Sequence, residues 1–355
     1  MVNSPSGNKP YRAYSDHTLL VVRMSHTTQA HWGYLMRVTI LFEATPAERR
    51  LLEAAVGVHA SLAVLPAPAA GDLREVDVAI AHSFADLDPT IWADTPRLRA
   101  VVSMAAGAEH IPFANLRKAT AVYSTHGPNA DSVAEHAFLL ALAAARRLVW
   151  FDARLRAGHF DQEVGVRTLH GKTALIVGAG TIGRAIARLA RAWRMHVIMA
   201  RRHAGDISEA DATAVGPHAL AHAYGAADVV FLAAPLNRAN RGMIDAAALA
   251  SMKDDAILVN VARGKLVDHE ALAAHLAAKP TFHYATDVWW RYPRGDTFEE
   301  LLLARDNIIG TPHTSALAPG WREEMVQAAA KTVAALLSGE TPPGREDPAS
   351  YQHRA

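Results

Sequence analysis

The sequence predicts an α/β protein built from two doubly wound parallel sheets, and three observations support this fold class. The chain has 355 residues, which suits two or three domains of roughly 100–200 residues each. Short apolar segments alternate with segments of helical periodicity, a pattern typical of parallel strands joined by crossover helices. Half of the residues are hydrophobic and a fifth are charged, which is the composition of a globular protein rather than a disordered or fibrous one.

Composition also excludes several classes of function. Formal net charge is +1, from 36 basic and 35 acidic residues, which argues against a protein that binds nucleic acid through its overall charge. The absence of cysteine excludes disulfides, thiolate nucleophiles and iron–sulfur clusters, and we expect no metal site. No uncharged apolar stretch reaches the ~18 residues of a transmembrane helix. We therefore expect a cytoplasmic protein without membrane or nucleic-acid partners.

The first domain is expected to begin at Met36. Residues 1–35 are polar and irregular and lack the long apolar core of a signal peptide, so we interpret them as a disordered leader. In the first domain, strands are predicted at residues 37–42, 78–81, 98–104 and 120–123, with a helix at 46–56. A long, mostly apolar helix follows at residues 132–147 and is expected to be buried on most sides.

A second series of strands and helices begins after the segment LHG, which ends at Gly171. Its strands are predicted at residues 173–177, 197–200, 228–233, 257–261, 283–288 and 307–310, and its helices at 182–193 and 268–278. The last helix is predicted at residues 321–337. Residues 341–355, which begin with the segment TPP, are expected to form a tail.

The segment TALIVGAGTIGRAIARLARAW has the pattern of a strand, a glycine-rich turn and a helix. In such a turn, Gly178 permits the tight bend, Gly180 lets the backbone approach a pyrophosphate, and Gly183 lets the helix pack closely on the strand. Thr181 and Ile182 begin the helix, whose N-terminus supplies free N–H groups and a positive dipole for phosphates. This motif predicts a dinucleotide-binding domain.

The end of the second strand in this unit indicates which dinucleotide is bound. An NAD-binding unit usually carries an acidic residue there, which bonds the ribose 2′-hydroxyl. Arg201 and Arg202 occupy that place here (MARRHAGD), and Asp206 lies too far along the loop to replace the acid. Because guanidinium groups bind a 2′-phosphate that a carboxylate would repel, we predict a preference for NADP(H), with NAD(H) possible. The alternative is two solvated arginines beside a promiscuous site.

Six separated segments resemble the D-isomer-specific 2-hydroxyacid dehydrogenases, which include glyoxylate and hydroxypyruvate reductases and formate dehydrogenases. They are SVAEHAFLLALAAARR (132–147), VGAGTIG (177–183), LAAPLN (232–237), VNVARGKLVDHEAL (259–272), ATDVW (285–289) and TPH (311–313). The resemblance covers about residues 37–337. It implies a Rossmann cofactor domain, residues 136–315, inserted into a flavodoxin-like substrate domain, residues 36–135 and 316–340. It also implies a homodimer with the helix at 132–147 near the interface.

The resemblance implies how a substrate is held and protonated. Arg263 would bind the carboxylate and the 2-oxo group of the substrate. His313 would be the general acid in reduction and the general base in oxidation, which suits histidine because its pKa lies near neutrality. The substrate carboxylate would also meet backbone N–H groups in the turn MAAGAEH, those of Ala106, Gly107 and Ala108.

The resemblance also implies the contacts of the nicotinamide. Asp287 would accept a hydrogen bond from the carboxamide of the cofactor, and Val133 and Pro235 would form apolar walls for the ring. His313 would lie next to the ring as well as the substrate. The other cofactor contacts implied by the motifs are Ala234, Val261, Ala262 and Ser315.

One position departs from the family pattern. Relatives commonly carry a glutamate five residues after the aspartate of the DV motif, where it pairs with the histidine, whereas Tyr292 stands at that place here. A neutral phenol can orient His313 but cannot stabilise the imidazolium by charge. Either Tyr292 orients His313, or catalysis is weak and the protein has another role, or a nearby acid substitutes for the glutamate. The candidate acids are Asp296, Glu299 and Glu300.

The predicted function is therefore hydride transfer between NADP(H) and a small 2-oxo or D-2-hydroxy acid, such as glyoxylate, hydroxypyruvate or a larger 2-keto acid. Trp289, Trp290 and Trp321 either line a pocket for an apolar substrate side chain or serve as core or dimer contacts. Two alternatives stay open. One is a dinucleotide-binding sensor or interaction protein on the same fold, and the other is a formate dehydrogenase-like enzyme.

Overall fold

In the computed structural model, residues 35–82, 84, 87–292, 298 and 300–351 are described. They form two α/β domains, each built on one parallel sheet, and this confirms the predicted fold class. Apart from Leu35, the predicted leader lies outside the described residues. In the part of the chain that is described, no helix combines the length and the apolar character needed to cross a membrane.

The first sheet has five parallel strands in the order β2-β1-β3-β4-β5, which is the order of flavodoxin-like folds. The strands are β1 Met36–Ile40, β2 Ala60–Val64, β3 Val78–Ala81, β4 Ala100–Ser103 and β5 Ala121–Ser124. Strands β3 and β4 are buried on both faces, so they have the continuous apolar runs that predict a central parallel strand. The edge strand β2 was not predicted, because its sequence ASLAV is rich in alanine and only partly buried.

The second sheet has seven parallel strands in the order β12-β11-β10-β9-β6-β7-β8, which is the Rossmann order extended by one strand. The strands are β6 Thr173–Val177, β7 His196–Arg201, β8 Ala212–Val215, β9 Val229–Leu232, β10 Ile257–Asn260, β11 His283–Thr286 and β12 Ile308–Gly310. Here, too, the one strand that was not predicted, β8, is a largely exposed edge strand.

The α-helices of the described residues are α1 Pro46–Val56, α2 Ala130–Ala145, α3 Leu148–Arg156, α4 Thr181–Ala192, α5 Pro217–Ala226, α6 Ala246–Ser251, α7 His269–Ala278 and α8 Trp321–Leu337. Local sequence explains where α1 begins. The Thr45 side chain accepts from the Glu48 N–H, and the Glu48 side chain accepts from the Thr45 N–H, so two N–H groups at the helix start are satisfied reciprocally.

Helix α8 returns the chain to the first domain. It packs beside α1 on the first sheet and buries Met325, Val326 and Val333 in the core of that domain. Arg322, in the first turn of α8, donates to the carboxylate of Glu48 in α1. Segments from both ends of the described chain therefore pack around the first sheet, which the pattern of strands alone did not show.

Helix α2 carries the chain into the second domain. Its sequence is apolar around most of its circumference, and from Ala130 onward it packs in the core formed with α4 and the second sheet. The predicted boundary between residues 135 and 136 falls inside this helix. Because α2 packs as one piece, the chain crosses between the domains before Ala130.

The C-terminal strap, residues 344–351, pairs with the edge strand β5. The Ser124 N–H donates to the Gly344 carbonyl at 2.9 Å, and the Glu346 N–H donates to the Val122 carbonyl at 2.8 Å. The region expected to be a tail therefore extends the first sheet with a short antiparallel pairing, although the rest of that sheet is parallel.

Beyond this pairing, the strap reaches the cleft between the two domains. The ring of Tyr351 stacks on Phe113 of the substrate domain, with ring centroids 5.2 Å apart. The carbonyl of Ser350 accepts a hydrogen bond of 3.0 Å from the Arg238 N–H of the cofactor domain. The strap is thus a further physical link between the two domains, in addition to the covalent crossovers.

Candidate active site

The glycine-rich turn after β6 has the shape that the motif requires. Gly178 adopts a φ of +117°, and a Cβ added there would lie 2.7 Å from the backbone of Ala233 and Ala234. A Cβ added at Gly183 would overlap the carbonyl oxygen of Gly178, so this glycine is needed for helix α4 to pack on the turn. An added Cβ at Gly180 would meet nothing within 4 Å, so the backbone is open to a ligand there.

The first turn of α4 leaves donors for an anion. Gly180 is the N-cap residue and offers no side-chain cap, and the first intrahelical bond runs from the Arg184 N–H to the Gly180 carbonyl. The N–H groups of Thr181, Ile182 and Gly183 precede that bond and point along the helix axis. Together with the helix dipole, they fit the pyrophosphate of a dinucleotide.

Arg201 and Arg202 lie at the carboxyl end of β7, next to this turn. Strands β6 and β7 are neighbours, and the Gly178 N–H donates to the Ala200 carbonyl at 3.0 Å. Among the described residues, the one hydrogen bond of the Arg201 guanidinium is to the Gly205 carbonyl, at 3.3 Å. Arg202 is exposed. Both guanidinium groups are therefore accessible to an anionic group at the ribose end of a dinucleotide.

Arg263 follows β10 and points across the cleft between the domains. Asn260, the last residue of β10, fixes the loop, because its side chain donates to the Arg263 carbonyl at 2.9 Å and accepts from the Ala262 N–H at 3.1 Å. The guanidinium Nη1 donates to the Ala262 carbonyl at 2.8 Å, and Nη2 donates to the Ala106 carbonyl at 2.5 Å. Its Nε donates to the carboxylate of Glu109.

The substrate turn, residues 104–110, follows β4 on the other side of the cleft. Gly107 has a φ of +93°, which favours glycine, and an added Cβ would lie 2.9 Å from Arg263 Nη2. The structure thus brings Ala106 and Gly107 against Arg263, and the predicted contact of their N–H groups with a substrate carboxylate stays a prediction. The N–H of Ala108, in contrast, is directed at the hydroxyl of Tyr351 in the C-terminal strap.

His313 lies in the loop between β12 and α8, and its backbone has a φ of +60°. The left-handed region is uncommon for residues other than glycine, and here Asp287 stabilises the loop that contains it. The fully buried Asp287 carboxylate accepts from the Thr311 hydroxyl at 2.6 Å and from the N–H groups of Thr314 and Ser315, each at 2.9 Å.

Asp287 therefore acts in this structure as the support of the histidine loop. Both of its oxygens accept hydrogen bonds from that loop. The nicotinamide contact implied for Asp287 by the resemblance stays a prediction. His136 of α2 extends the network, because its Nε2 lies 2.9 Å from the Thr311 hydroxyl.

The surroundings of His313 disfavour its protonated form. The imidazole is accessible to solvent, but enclosure by the cleft lowers its pKa, and the positive charge of Arg263 lowers it further. The charges of Asp287 and Glu109 act in the opposite direction and raise the pKa. The pKa of His313 is thus lowered overall, and the nearby carboxylates oppose that shift.

Tyr292 lies beside His313, and its role there stays a prediction. Their ring centroids are 5.3 Å apart, with planes inclined by 35°. The Tyr292 hydroxyl lies 3.5 Å from the backbone nitrogen of Trp289. Partial burial raises the pKa of the phenol, so the side chain is neutral at pH 7. It contacts the imidazole through its ring.

Of the acids considered as substitutes for the missing glutamate, only Glu300 is among the described residues; Asp296 and Glu299 lie outside them. A carboxylate oxygen of Glu300 lies 3.1 Å from His269 Nε2, within hydrogen-bond distance. The Glu300 side chain also caps the 3₁₀ helix Leu301–Ala304. It is thus engaged elsewhere, and nothing connects it to His313.

The remaining predicted cofactor residues differ in burial and in their contacts. Val133, Val261 and Ala262 are buried, whereas Ala234 and Pro235 are more accessible. The Pro235 carbonyl accepts from the side chain of Asn240 at 2.7 Å, which fixes this loop. The Ser315 carbonyl accepts from the Ser132 hydroxyl at 2.7 Å, which joins α2 to the histidine loop.

The three tryptophans have different surroundings. Trp289 is buried, and its indole N–H donates to the Thr311 carbonyl at 2.9 Å. Trp290 donates to the Val267 carbonyl at 2.6 Å. Both serve the core of the cofactor domain. Trp321 contacts His82 edge-on at 5.5 Å, just after β3, and packs against the core of the first domain.

Sequence reasoning missed several residues that build this site. Glu109 holds Arg263, Asn260 shapes the arginine loop, and Thr311 links His136 to Asp287. All four lie within three residues of a predicted site residue, so proximity to the motifs was a usable signal. Among the described residues, no cluster of three or more histidine, aspartate or glutamate side chains is arranged to hold a metal ion.

The fold and the site define a dinucleotide-binding dehydrogenase with its site between two domains. The family model "D-isomer specific 2-hydroxyacid dehydrogenase, NAD binding domain" matches residues 138–315. The chain is 33% identical over 284 residues to the glyoxylate reductase of Pyrococcus furiosus, covering 76% of this chain and 82% of the relative. It is 30% identical over 246 residues to the hydroxypyruvate reductase of Thermotoga maritima, covering 69% and 79%.

A solved structure agrees with these similarities. The crystal structure described as a putative formate dehydrogenase from Pyrobaculum aerophilum superimposes with a TM-score of 0.78 at 25% identity, covering 89% of this chain and all of that one. The chain therefore belongs to the D-isomer-specific 2-hydroxyacid dehydrogenase family, as its motifs predicted. It is an oxidoreductase with an NAD(P)-binding domain.

The glycine turn supports a first prediction. Gly183→Ala should destabilise the protein by about 3 kcal/mol, because the new Cβ overlaps the Gly178 carbonyl and the helix must shift. Gly180→Ala should leave stability unchanged and weaken NADPH binding about tenfold, because its Cβ points into open space where a pyrophosphate would approach. Urea unfolding and fluorescence titration with NADPH measure the two effects. Wild-type stability of Gly183→Ala would contradict the packing argument.

Proposed function

We propose that the protein is an NADP(H)-preferring reductase that converts a small 2-oxo acid to the D-2-hydroxy acid and catalyses the reverse oxidation. The observation that carries the proposal is the convergence of Arg263, the substrate turn and His313 on one cleft beside the glycine turn. Arg263 contacts the carbonyl of Ala106 across that cleft. The relatives named glyoxylate reductase and hydroxypyruvate reductase support glyoxylate and hydroxypyruvate as the first substrates to test.

Arg263 is suited to hold such a substrate. A guanidinium has five N–H donors in one plane, and three of them are engaged by Glu109 and by the carbonyls of Ala106 and Ala262. Two donors are left, one on each terminal nitrogen. They suffice for one carboxylate oxygen and the 2-oxo oxygen, and the backbone of Gly107 lies next to them.

The chemical step needs a hydride at C2 and a proton at the 2-oxo oxygen. A bound nicotinamide supplies the hydride. In the reductive direction, His313 donates the proton as negative charge develops on the oxygen, while Arg263 stabilises that charge. In oxidation, neutral His313 accepts the proton from the hydroxyl.

A second candidate function is a dinucleotide-binding sensor with weak turnover. The observation that favours it is Tyr292, which stands where relatives commonly carry a glutamate. An assay of NADPH and NADH oxidation with glyoxylate, hydroxypyruvate, pyruvate and phenylpyruvate distinguishes the two. Turnover of at least one 2-oxo acid supports the reductase. Micromolar NADPH binding without turnover of any of them supports the sensor. NAD(P)⁺ reduction by formate in the same assay would indicate the formate dehydrogenase-like alternative.

Cofactor preference gives a second prediction. Replacing both Arg201 and Arg202 by alanine should lower kcat/KM for NADPH about 100-fold, because two charge-assisted contacts to the 2′-phosphate are lost. The value for NADH should change about twofold or less. The control is Arg305→Ala, which removes an exposed arginine elsewhere in the cofactor domain. Equal kcat/KM for NADH and NADPH in the wild type would show that Arg201 and Arg202 do not select the 2′-phosphate.

The pH dependence gives a third prediction. In reduction His313 must be protonated, so kcat/KM falls as the pH rises through its pKa, which the site lowers. Tyr292→Glu places a negative charge next to the imidazole and should raise this pKa, so the fall moves to higher pH. Profiles of kcat/KM between pH 5 and 9 test this. If the two profiles coincide, Tyr292 does not occupy the position beside the histidine.

The exposed face formed by α2, α3 and the segment after α3 supports the proposal of a homodimer. No residue of α3 is fully buried, although the helix carries apolar side chains. The exposed fractions of the apolar residues on this face are 52% for Leu139, 56% for Leu148, 55% for Val149, 60% for Leu155 and 76% for Phe160. Apolar surface of this kind favours burial against a partner. Helix α2, which contributes Leu139 to this face, is also the helix that the resemblance places near the dimer interface.

The homodimer gives a fourth prediction. The double variant Leu155→Asp, Phe160→Asp should shift the protein from dimer to monomer in sedimentation velocity, because charged side chains oppose burial of the face. Leu301→Asp, at a residue that is 91% exposed on another part of the domain, should leave the dimer intact. A wild-type protein that sediments as a monomer at micromolar concentration would contradict this arrangement.

A further inference from the structure

An ion pair crosses the cleft at the centre of the site. Glu109 lies in the substrate turn of one domain, and Arg263 follows β10 of the other. The guanidinium Nε donates to the carboxylate. The side chains are only 26% and 24% exposed. The pair is therefore less screened by solvent than an ordinary surface pair, and its geometry is constrained on both sides.

This pair sets the plane of the guanidinium. All three guanidinium nitrogens of Arg263 donate hydrogen bonds. Nε donates to the Glu109 carboxylate, Nη2 to the Ala106 carbonyl and Nη1 to the Ala262 carbonyl. Two of these three acceptors are backbone oxygens. Glu109 is the only one of them that carries a charge.

The second carboxylate oxygen of Glu109 has an unusual environment. Oε2 is buried and has no hydrogen-bond partner among the described residues. It lies toward the substrate turn, since a Cβ added at Gly107 would be 2.7 Å from it. A buried carboxylate oxygen without a donor costs free energy, which argues that this carboxylate is kept at the site for its charge and not for local stability.

Resting on the proposed function, we propose that Glu109 is the positioning residue of this active site. Its carboxylate fixes Arg263 across the cleft and supplies the negative charge beside His313 that Tyr292 does not carry. The acid comes from the substrate domain, whereas the glutamate implied by the resemblance would come from the cofactor domain.

The charged and titratable groups around the histidine are consistent with this role. His313 is faced by Arg263, Asp287, Glu109 and Tyr292. Asp287 already accepts hydrogen bonds at both oxygens, and Tyr292 is neutral. Glu109 is thus the carboxylate near His313 that retains an unoccupied oxygen.

Glu109 itself is faced by further titratable groups on the substrate domain. Burial lowers the pKa of His110, against the opposing effect of the Glu109 charge. Burial raises the pKa of Tyr351, to which the Glu109 charge also contributes. Both neighbours are therefore neutral at pH 7, and Arg263 is the charged group that balances Glu109.

The test is the pKa of His313, measured by NMR on the full-length protein labelled at histidine. The signal is assigned by its loss in His313→Asn, since asparagine tolerates the left-handed backbone at this position. The variants are Glu109→Gln, Glu109→Gln with Tyr292→Glu, and the control Glu340→Gln, which removes an exposed glutamate. The reductive pH profile of kcat/KM is recorded for the same variants.

We expect Glu109→Gln to lower the pKa of His313, to move the fall in kcat/KM to lower pH and to reduce kcat/KM at pH 8 roughly tenfold. Tyr292→Glu in the same chain should move both back toward the wild-type values. Glu340→Gln should change neither.

Two results would overturn the proposal. One is a His313 pKa in Glu109→Gln that differs from the wild type by no more than the control does. The other is a shift of the His313 pKa in Glu109→Gln that Tyr292→Glu does not reverse, which would mean that Glu109 does not act through its charge beside the imidazole. The NMR measurement does not require turnover. A wild type that reduces no 2-oxo acid but shows the predicted pKa changes would therefore refute the proposed function and leave the role of Glu109 standing.

Discussion

The buried carboxylate of Asp287 holds the loop on which the rest of the site depends. It accepts three hydrogen bonds from residues on either side of His313. Each hydrogen bond to a charged group contributes about 1.5–3 kcal/mol, whereas a left-handed residue other than glycine costs about 1–2 kcal/mol. The three bonds outweigh that cost, so the imidazole is presented to the cleft by a strained backbone that its neighbours stabilise. The network continues through Thr311 to His136 on α2.

Parallel sheets explain why these groups meet. In both domains the functional loops follow the carboxyl ends of strands: the substrate turn follows β4, the glycine turn follows β6, and the arginine and histidine loops follow β10 and β12. In open parallel sheets, ligands bind at this edge. The carboxyl ends of the two sheets face each other across one cleft. Arg263 therefore reaches the Ala106 carbonyl, although 157 positions separate the two residues in the chain. The chemistry therefore requires both domains.

Much of this could be predicted from the sequence, because the decisive signals are local. The glycine motif fixes a strand, a turn and a helix together, and buried parallel strands appear as continuous apolar runs. The edge strands β2 and β8 were missed because partly exposed residues give a weak strand signal. Glu109 was missed for a different reason. A glutamate beside a turn is usually solvated, and only the approach of the second domain gives it an arginine partner. Such long-range pairing depends on how the domains dock, and local sequence does not encode it.

The C-terminal strap has a consequence for how variants of this protein are interpreted. Tyr351 stacks on Phe113, its hydroxyl lies against the backbone of Ala108, and Ser350 contacts the cofactor domain. The strap therefore touches the substrate turn of one domain and the backbone of the other. A substitution in the strap would alter the surroundings of the cleft without changing any residue of the loops that form it, so the strap counts as part of the site when variants are designed.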